Sequence, residues 1–529
     1  MRKTNILVLI ACIFSFFSVS TAQKVFLKTY SIPPSGATSN LPPSNSVSQL
    51  MFSNGRLWIG TSDGLGSSAD FGRTWKSYRL NPAFANDGIY AIAINGDTIW
   101  SSTGYDKPFN DGTVQTGSGY TYSFNGDSLW RHLPQAMDTL GANILPYGIN
   151  DSLWVLDVVV PEQNVTFDIS LSPGTVWIAS WAGGLRKSVN NGQNWHRVIL
   201  PPDYSNSISD QDTLWTYADT DSSHLHRIFP HFDPRNNNNF LAFSVYAEDN
   251  DSLWCGTAGG VNKTTDGGKS WVRMTHQNQV QSILGNWVIA IAGQTFNSTK
   301  RIWTTNWKAD DPNEMQGISY TQDGGRSWIN LLQGIKAYKF AFKDSIAYIA
   351  TDNGIYRTSD GGLSFTKFST ISDPASHNIL TNQQVYSVDV YQDTVFIGTG
   401  DGMASTIDNS TNTFGAVWKI YRTFDQLGTA HTTYAYPNPF SPAQGQIRIH
   451  YGASATTPGT RNITIDIFDF GMNRVRTLLN DAPRDQNREF DELWDGQTDN
   501  GKVVANGVYF YRVKSGNDDP MYGKIIVIQ

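Results

Sequence analysis

One eight-residue phrase recurs along this 529-residue chain with its aromatic and turn residues in register. Its fullest copies are Thr264-Thr265-Asp266-Gly267-Gly268-Lys269-Ser270-Trp271 and Thr321-Gln322-Asp323-Gly324-Gly325-Arg326-Ser327-Trp328. Ser68-Ala69-Asp70-Phe71-Gly72-Arg73-Thr74-Trp75 is a third. Thr358-Ser359-Asp360-Gly361-Gly362-Leu363-Ser364-Phe365 changes the aromatic, and Ser188-Val189-Asn190-Asn191-Gly192-Gln193-Asn194-Trp195 replaces Asp with Asn. The pattern is hydroxyl, any, Asp, any, Gly, any, hydroxyl, aromatic. Repetition at a period of tens of residues marks a repeat architecture, in which each unit buries its apolar surface against the next.

The phrase makes physical sense as a hairpin turn. The Asp carboxylate accepts bonds from backbone N–H groups, Gly supplies a positive φ, and the aromatic starts the next strand with a large surface to bury. It resembles the Asp-box, or BNR repeat, of sialidases, sortilin-type receptors, xyloglucanase-type glycosidases and photosystem-assembly factors. In that family the box is a structural turn on the outer part of a propeller blade. The resemblance therefore implies a turn-stabilising role for Asp70, Trp75, Asn190, Trp195, Asp266, Trp271, Asp323, Trp328, Asp360 and Phe365, with no catalytic residue among them.

The rest of the chain has the texture of short strands and tight turns: aromatics are 13%, charged residues 16%, and there are 47 glycines. A strand-like phrase precedes each box, with key aromatics Trp58, Trp100, Trp177, Trp254, Trp303, Tyr348 and Phe396, spaced 42, 77, 77, 49, 45 and 48 residues apart. Alternating apolar strands such as 89–94, 165–171 and 385–391 lie upstream. The unit reads as four antiparallel strands, one blade of a β-propeller. Seven units are expected. The second has a degenerate hairpin, Ser123 to Trp130, and the seventh an expanded one, Thr406 to Trp418. The two gaps of 77 residues hold Asp151-Ser152-Leu153-Trp154 and Asp212-Thr213-Leu214-Trp215, read as insertion hairpins or as fragments of an eighth and ninth blade. The strand 25–30 is expected to pair into the last blade. The Leu57 to Leu65 stretch also resembles the LWIGT…GL phrase of propellers on bacterial hybrid two-component sensors.

After about residue 425 the texture changes. Residues 426–433 read as a linker, followed by Tyr436-Pro437-Asn438-Pro439-Phe440, alternating strands, Trp494-Asp495-Gly496, the hairpin pairs Asn500-Gly501 and Asn506-Gly507, and a strand from Val508 to Val513. About 95 residues of this kind make a small Ig-like β-sandwich. The segment resembles the C-terminal type A sorting domain of the Bacteroidetes-type type IX secretion system and the related FlgD-like immunoglobulin module. That resemblance implies recognition by outer-membrane secretion machinery. The fold class expected is all-β: a seven-bladed β-propeller over 23–425 and a C-terminal Ig-like β-sandwich over 434–529.

Residues 1–22 read as a signal peptide: Arg2 and Lys3, an apolar stretch from Ile6 to Val19, then Ser20-Thr21-Ala22. The stretch is shorter than a membrane span, and Leu9-Ile10-Ala11-Cys12 offers a lipobox as an alternative. Cleavage takes the formal net charge from −7 to about −9 and leaves only Cys255, so no intrachain disulfide forms. The expected protein is secreted or on the cell surface, without a membrane span after cleavage and without affinity for nucleic acid.

Four readings bear on chemistry. Tyr78-Arg79-Leu80-Asn81-Pro82 loosely echoes a sialidase phrase but follows the first box. Glutamates of the propeller region are only Glu162, Glu248 and Glu314. Two aspartates at a suitable separation would serve a glycosidase, but no pair stands out. His224, His226 and His231, near Asp219, Asp221 and Asp233, are weak metal candidates. Trp181, Trp215 and Trp307 would stack on sugars or pack between blades. The expected function is protein or glycan binding without catalysis or cofactor, with an extracellular carbohydrate-active enzyme as the alternative. The insertions at 104–118, 134–164 and 202–240 are the expected binding surface.

Overall fold

The computed structural model describes residues 38–39, 42–78, 81–84, 87–109, 112–212, 231–376, 378–380, 383–422, 433–443, 445–452, 460–485, 489–516 and 518–528. The expected signal peptide, the strand expected at 25–30, most of the expected linker, His224, His226 and Trp215 lie outside them. The described residues are nearly all strand, with two single 3-10 turns at Pro82–Phe84 and Asn238–Phe240. They form two compact units, one of Pro33–Asp373 with Ile379–Phe424, the other centred on Asp425–Gln529.

In the first unit, seven stretches of chain each fold into a four-stranded antiparallel meander. The first is Val47–Ser53, Arg56–Thr61, Gly64–Ser68 and Trp75–Ser77. The later innermost strands are Gly88–Asn95, Thr166–Ser172, Ala242–Ala247, Trp287–Phe296, Ala337–Lys343 and Val385–Tyr391. Each innermost strand lies against the next, and the last lies against the first. The sheets therefore close into a β-propeller. The seven spaced aromatics, Trp58 through Phe396, fall on the second strands and are all buried, filling the space between neighbouring sheets.

Closure is made by side chains. All four strands of the first and the last sheet follow one another in sequence, so no strand is exchanged between them among the described residues. Phe52 stacks on Tyr391 at 3.8 Å between ring centroids, Phe71 packs on Phe396, and the Tyr421 hydroxyl donates to the Phe71 carbonyl at 3.0 Å. The Phe52 N–H donates to the Asp389 carboxylate. Two outer edges gain a fifth strand, Thr38–Ser39 on Trp75–Ser77 and Ser207–Ser209 on Ser270–Met274, which covers N–H and C=O groups otherwise open to pairing.

The first long gap is an insertion. Asn150–Val155, which contains Asp151 to Trp154, pairs with Ile144–Tyr147 and, in parallel, with His231–Phe232. That three-stranded sheet stands apart from the blade sheets, so the Asp151 hairpin is not part of an extra blade. Of the second phrase only Asp212 is described.

The second unit has two sheets. Thr433–Tyr436, Ile447–Gly452 and Glu489–Trp494 form one, and Thr460–Phe468, Arg474–Asp485, Gly507–Ser515 and Met521–Val527 the other. Alternate residues of both, Ile449, Ile465, Trp494, Tyr511 and Ile525 among them, enclose a single core, and the Trp494 indole N–H is satisfied by the Gln497 carbonyl at 2.9 Å.

Candidate functional site

The box residues act within their own turns. In the fourth blade the Thr264 hydroxyl donates to Asp266 Oδ1 at 2.7 Å and accepts from the Gly268 N–H at 3.0 Å. Asp266 Oδ1 also accepts from the Ser270 N–H at 2.9 Å, and the Ser270 hydroxyl closes on Oδ2. Gly268 adopts φ +88°, a conformation only glycine takes without strain. Both hydroxyls, the acid and the glycine of the sequence pattern are thereby accounted for. Asp70, Asp323 and Asp360 repeat the arrangement. Asn190 keeps the backbone bond, from the Asn194 N–H at 2.9 Å. Trp75, Trp271 and Trp328 are buried, and Trp195 and Phe365 half-buried. At Asp360 the Ser364 hydroxyl, then the Ser364 N–H and the Thr358 hydroxyl, hold the carboxyl well below the usual range. At Asp266 partial burial pushes upward, but bonds from Ser270 and Thr264 outweigh it and the net shift is downward.

The two aberrant hairpins use their acids differently. Asp127 of the second blade takes Arg56, Lys76 and the Tyr78 hydroxyl of the first, at 2.8, 2.9 and 2.8 Å. Asp408 of the seventh takes the Tyr348 hydroxyl and Arg357 Nε of the sixth. Both acids therefore bolt a blade to its predecessor. Tyr78, the start of the sialidase-like phrase, is buried and donates its hydroxyl to Asp127.

Antiparallel order dictates where variable loops gather. First-to-second-strand turns and the boxes share one end of the ring; second-to-third turns and blade-to-blade connections share the other. The long second-blade hairpin (Thr98–Phe109 with Gly112–Ser123), the insertion sheet and the 308–316 loop are all at this second end. Buried polar groups anchor them. Glu314 accepts from the Asn286 amide at 2.6 Å and the Ala309 N–H at 2.7 Å. Arg273 donates to the carbonyls of Gly259, Pro202, Asp203 and Ser205. Asp138 lies between Arg186 and Arg197. None of these three anchors was legible in the sequence, since each has at least one partner 28 or more residues away.

At the same end, every innermost strand carries a bulge at the equivalent position. The residues left out of the ladders are Ser48, Tyr90, Phe167, Phe243, Ile289, Tyr338 and Tyr386. A bulge twists the strand and re-aims one side chain. Neighbouring rings meet: Tyr90 with Phe167 at 6.2 Å, Phe167 with Phe243 at 6.0 Å, Tyr338 with Tyr386 at 5.6 Å. Trp181 and Trp287 join at Phe243, and Trp307 joins at Tyr338. Apart from the buried Phe243, the ring-bearing bulge residues are half-buried, so the belt keeps part of its surface exposed. Trp307 itself is buried, its N–H donating to the Ala337 carbonyl.

One residue beyond the bulges, Asp168 of the third blade meets Lys339 of the sixth at 3.8 Å, an ion pair bridging the ring's interior. Asp168 also accepts from the Val245 N–H of the fourth blade at 3.0 Å, and burial pushes its carboxyl up against the pull of Lys339.

The remaining candidates resolve plainly. Glu162 pairs with Lys107, Glu248 with Lys300 and the Trp254 indole, and Glu314 is spent on its loop. Asp233 is paired with Arg235 at 2.7 Å, and His231 sits on the parallel insertion strand. Among the described residues no group of three His, Cys, Asp or Glu side chains is placed to hold a metal, and no helix is long and apolar enough to cross a membrane.

No protein-family model matches this chain, and no curated protein does. Solved structures do. YCF48 bound to D1 peptide is similar at 12% identity over 72% of this chain and 100% of that one, with a TM-score of 0.42. The GH74 enzyme of Niastella koreensis is 11% identical over 94% of this chain and 75% of its own, with a TM-score of 0.49. PorZ, a surface component of the type-IX secretion system of Porphyromonas gingivalis, is 14% identical over 92% of this chain and 66% of its own, with a TM-score of 0.29. At these scores the likenesses define neither ligand nor activity.

Proposed function

We propose that this protein is exported and works at or beyond the cell surface as a non-catalytic binding module, its propeller taking a protein or glycan at the loop-bearing end. The observation that carries the reading is the belt. Five of seven bulged positions are aromatic, and they lie at the end where the insertions gather. Half-buried rings fixed on rigid strands give contact area at small entropic cost. The engagement of the propeller glutamates in ion pairs and loop anchors favours binding over hydrolysis.

A glycan array and a surface-protein panel, run beside a glycosidase substrate panel, test this. Binding without turnover is expected, and Tyr338→Ala with Tyr386→Ala is expected to weaken it at least about tenfold, the loss of two stacking contacts. Turnover of any glycan would replace the reading with an enzymatic one.

The C-terminal unit is proposed to be a type A sorting domain read by outer-membrane type IX machinery, after passage of the inner membrane on the signal peptide. The YPNPF opening, the W-D-G turn and the terminal strands support this. Deleting 434–529 is expected to leave the propeller in the periplasm, and normal release of the truncated chain would defeat the sorting proposal.

A further inference from the structure

The first insertion and the third blade enclose a small crevice at the loop-bearing end, with a cavity of about 40 Å³. Val158, Ala182, Leu185, Val198 and Phe240 supply apolar walls, and Arg197 is the single charged wall residue. Ala182 follows Trp181, whose ring belongs to the belt cluster. The space takes the end of a small ligand, a handful of non-hydrogen atoms.

The charge around it is unbalanced. Asp138 takes Arg186 through both oxygens, at 2.9 and 3.0 Å, and also takes Arg197 through Nε at 2.9 Å and through Nη2. Two guanidinium groups thus share one carboxylate, with side-chain exposures of 2% for Arg186, 9% for Arg197 and 10% for Asp138. A buried excess positive charge is unfavourable until an anion or solvent meets it. Burial pushes both arginines down to about 10. Arg197 Nη1 has no protein partner among the described residues, and Arg197 lines the crevice.

We infer that this crevice is a recognition pocket for a carboxylate carried on a short aliphatic stem. The planar guanidinium fork matches a carboxylate in shape and charge. The apolar walls take the stem, and they leave a doubly charged anion such as phosphate without partners for its remaining oxygens. The ligand's carboxylate balances the second arginine. The pocket extends the binding face proposed above, and rests on that reading for its role but not for its chemistry.

The test is titration of the full chain with isobutyrate, isobutyramide and inorganic phosphate, followed by calorimetry or ligand-observed NMR. Isobutyrate is expected to bind saturably, with isobutyramide and phosphate each at least about tenfold weaker, the worth of one charge-assisted contact. Arg197→Gln leaves Asp138 and Arg186 as a neutral pair, so the fold is retained while isobutyrate affinity falls by a similar factor. Ala182→Phe fills the crevice with both arginines intact and is expected to abolish binding. Absence of saturable isobutyrate binding, equal binding of isobutyramide or phosphate, or unchanged affinity in both variants overturns the pocket. Gly-Gly-Val with a free or amidated terminus separates the sources. Tighter binding of the free peptide than of isobutyrate assigns a chain terminus, and the reverse assigns a free acid. Loss of glycan or protein binding in the Tyr338 and Tyr386 variant with isobutyrate binding intact would sink the belt and leave the pocket standing.

Discussion

Asp266 accepts bonds from two hydroxyls and from the N–H groups of Lys269 and Ser270, and that density of partners explains why one acid is repeated blade after blade. Asn190 shows that the amide retains the backbone bond from Asn194. Asp266→Ala is therefore expected to cost about 1–2 kcal/mol, by analogy with a lost cap, and Asp266→Asn less, measured by urea unfolding. The carboxyls also set the pH response, in two opposed directions. Those of Asp266, Asp323 and Asp360 are held below their ordinary 3.8. Their contribution is present above that value and is lost as pH falls through the folded-state values. Asp389, at the closure, is pushed by burial up to about 6, and Asp168 also rises. For these two the sign reverses: their contribution is complete below 3.8 and is lost as pH climbs through the raised values. The urea midpoint is expected to rise as pH is lowered from 7 to 5, then fall below about 4. Asp389→Asn should flatten the upper limb, and an unchanged limb would show that Asp389 is not its source.

At the scale of the blade, the box tryptophan is the chief apolar contribution of the turn. Trp271 is 1% exposed, and Trp271→Ala is expected to cost about 3–5 kcal/mol, read from the same unfolding curves. Trp195→Ala should cost less, because that ring is half-buried. These units were legible in the sequence because their causes are local: the box bonds span at most four residues, and the aromatics recur at the blade period. Asp127 and Asp408 were harder to read, since each reaches a neighbouring blade instead of its own turn. The belt was not legible. Tyr90 sits in the run 89–94 as one more strand residue, and nothing in that alternation signals the slip between Ile89 and Ala91. Asp138 and Arg186 meet across 48 residues, with no spacing rule to connect them. The insertions expected to carry a binding surface lie at the same end of the ring as the bulges, but the rings at that end were not foreseen.

Across the whole molecule, six of the seven junctions between blades are also chain connections, and the one between the seventh and the first is held by side chains alone among the described residues. Phe52→Ala removes the ring that stacks on Tyr391 and is expected to loosen that junction before any other. Hydrogen exchange at Val47–Ser53 and Val385–Tyr391 should quicken while Ala242–Ala247 is unchanged. Uniform acceleration across all blades would mean instead that the ring opens as one unit. The seven bulges carry a different consequence. A side chain left out of a ladder can be exchanged without disturbing the register of the strand that bears it, and this holds all round the circle. On the binding reading proposed above, recognition and architecture occupy separate positions of the same strands, so related chains would be free to diverge in what they grip while preserving how they fold.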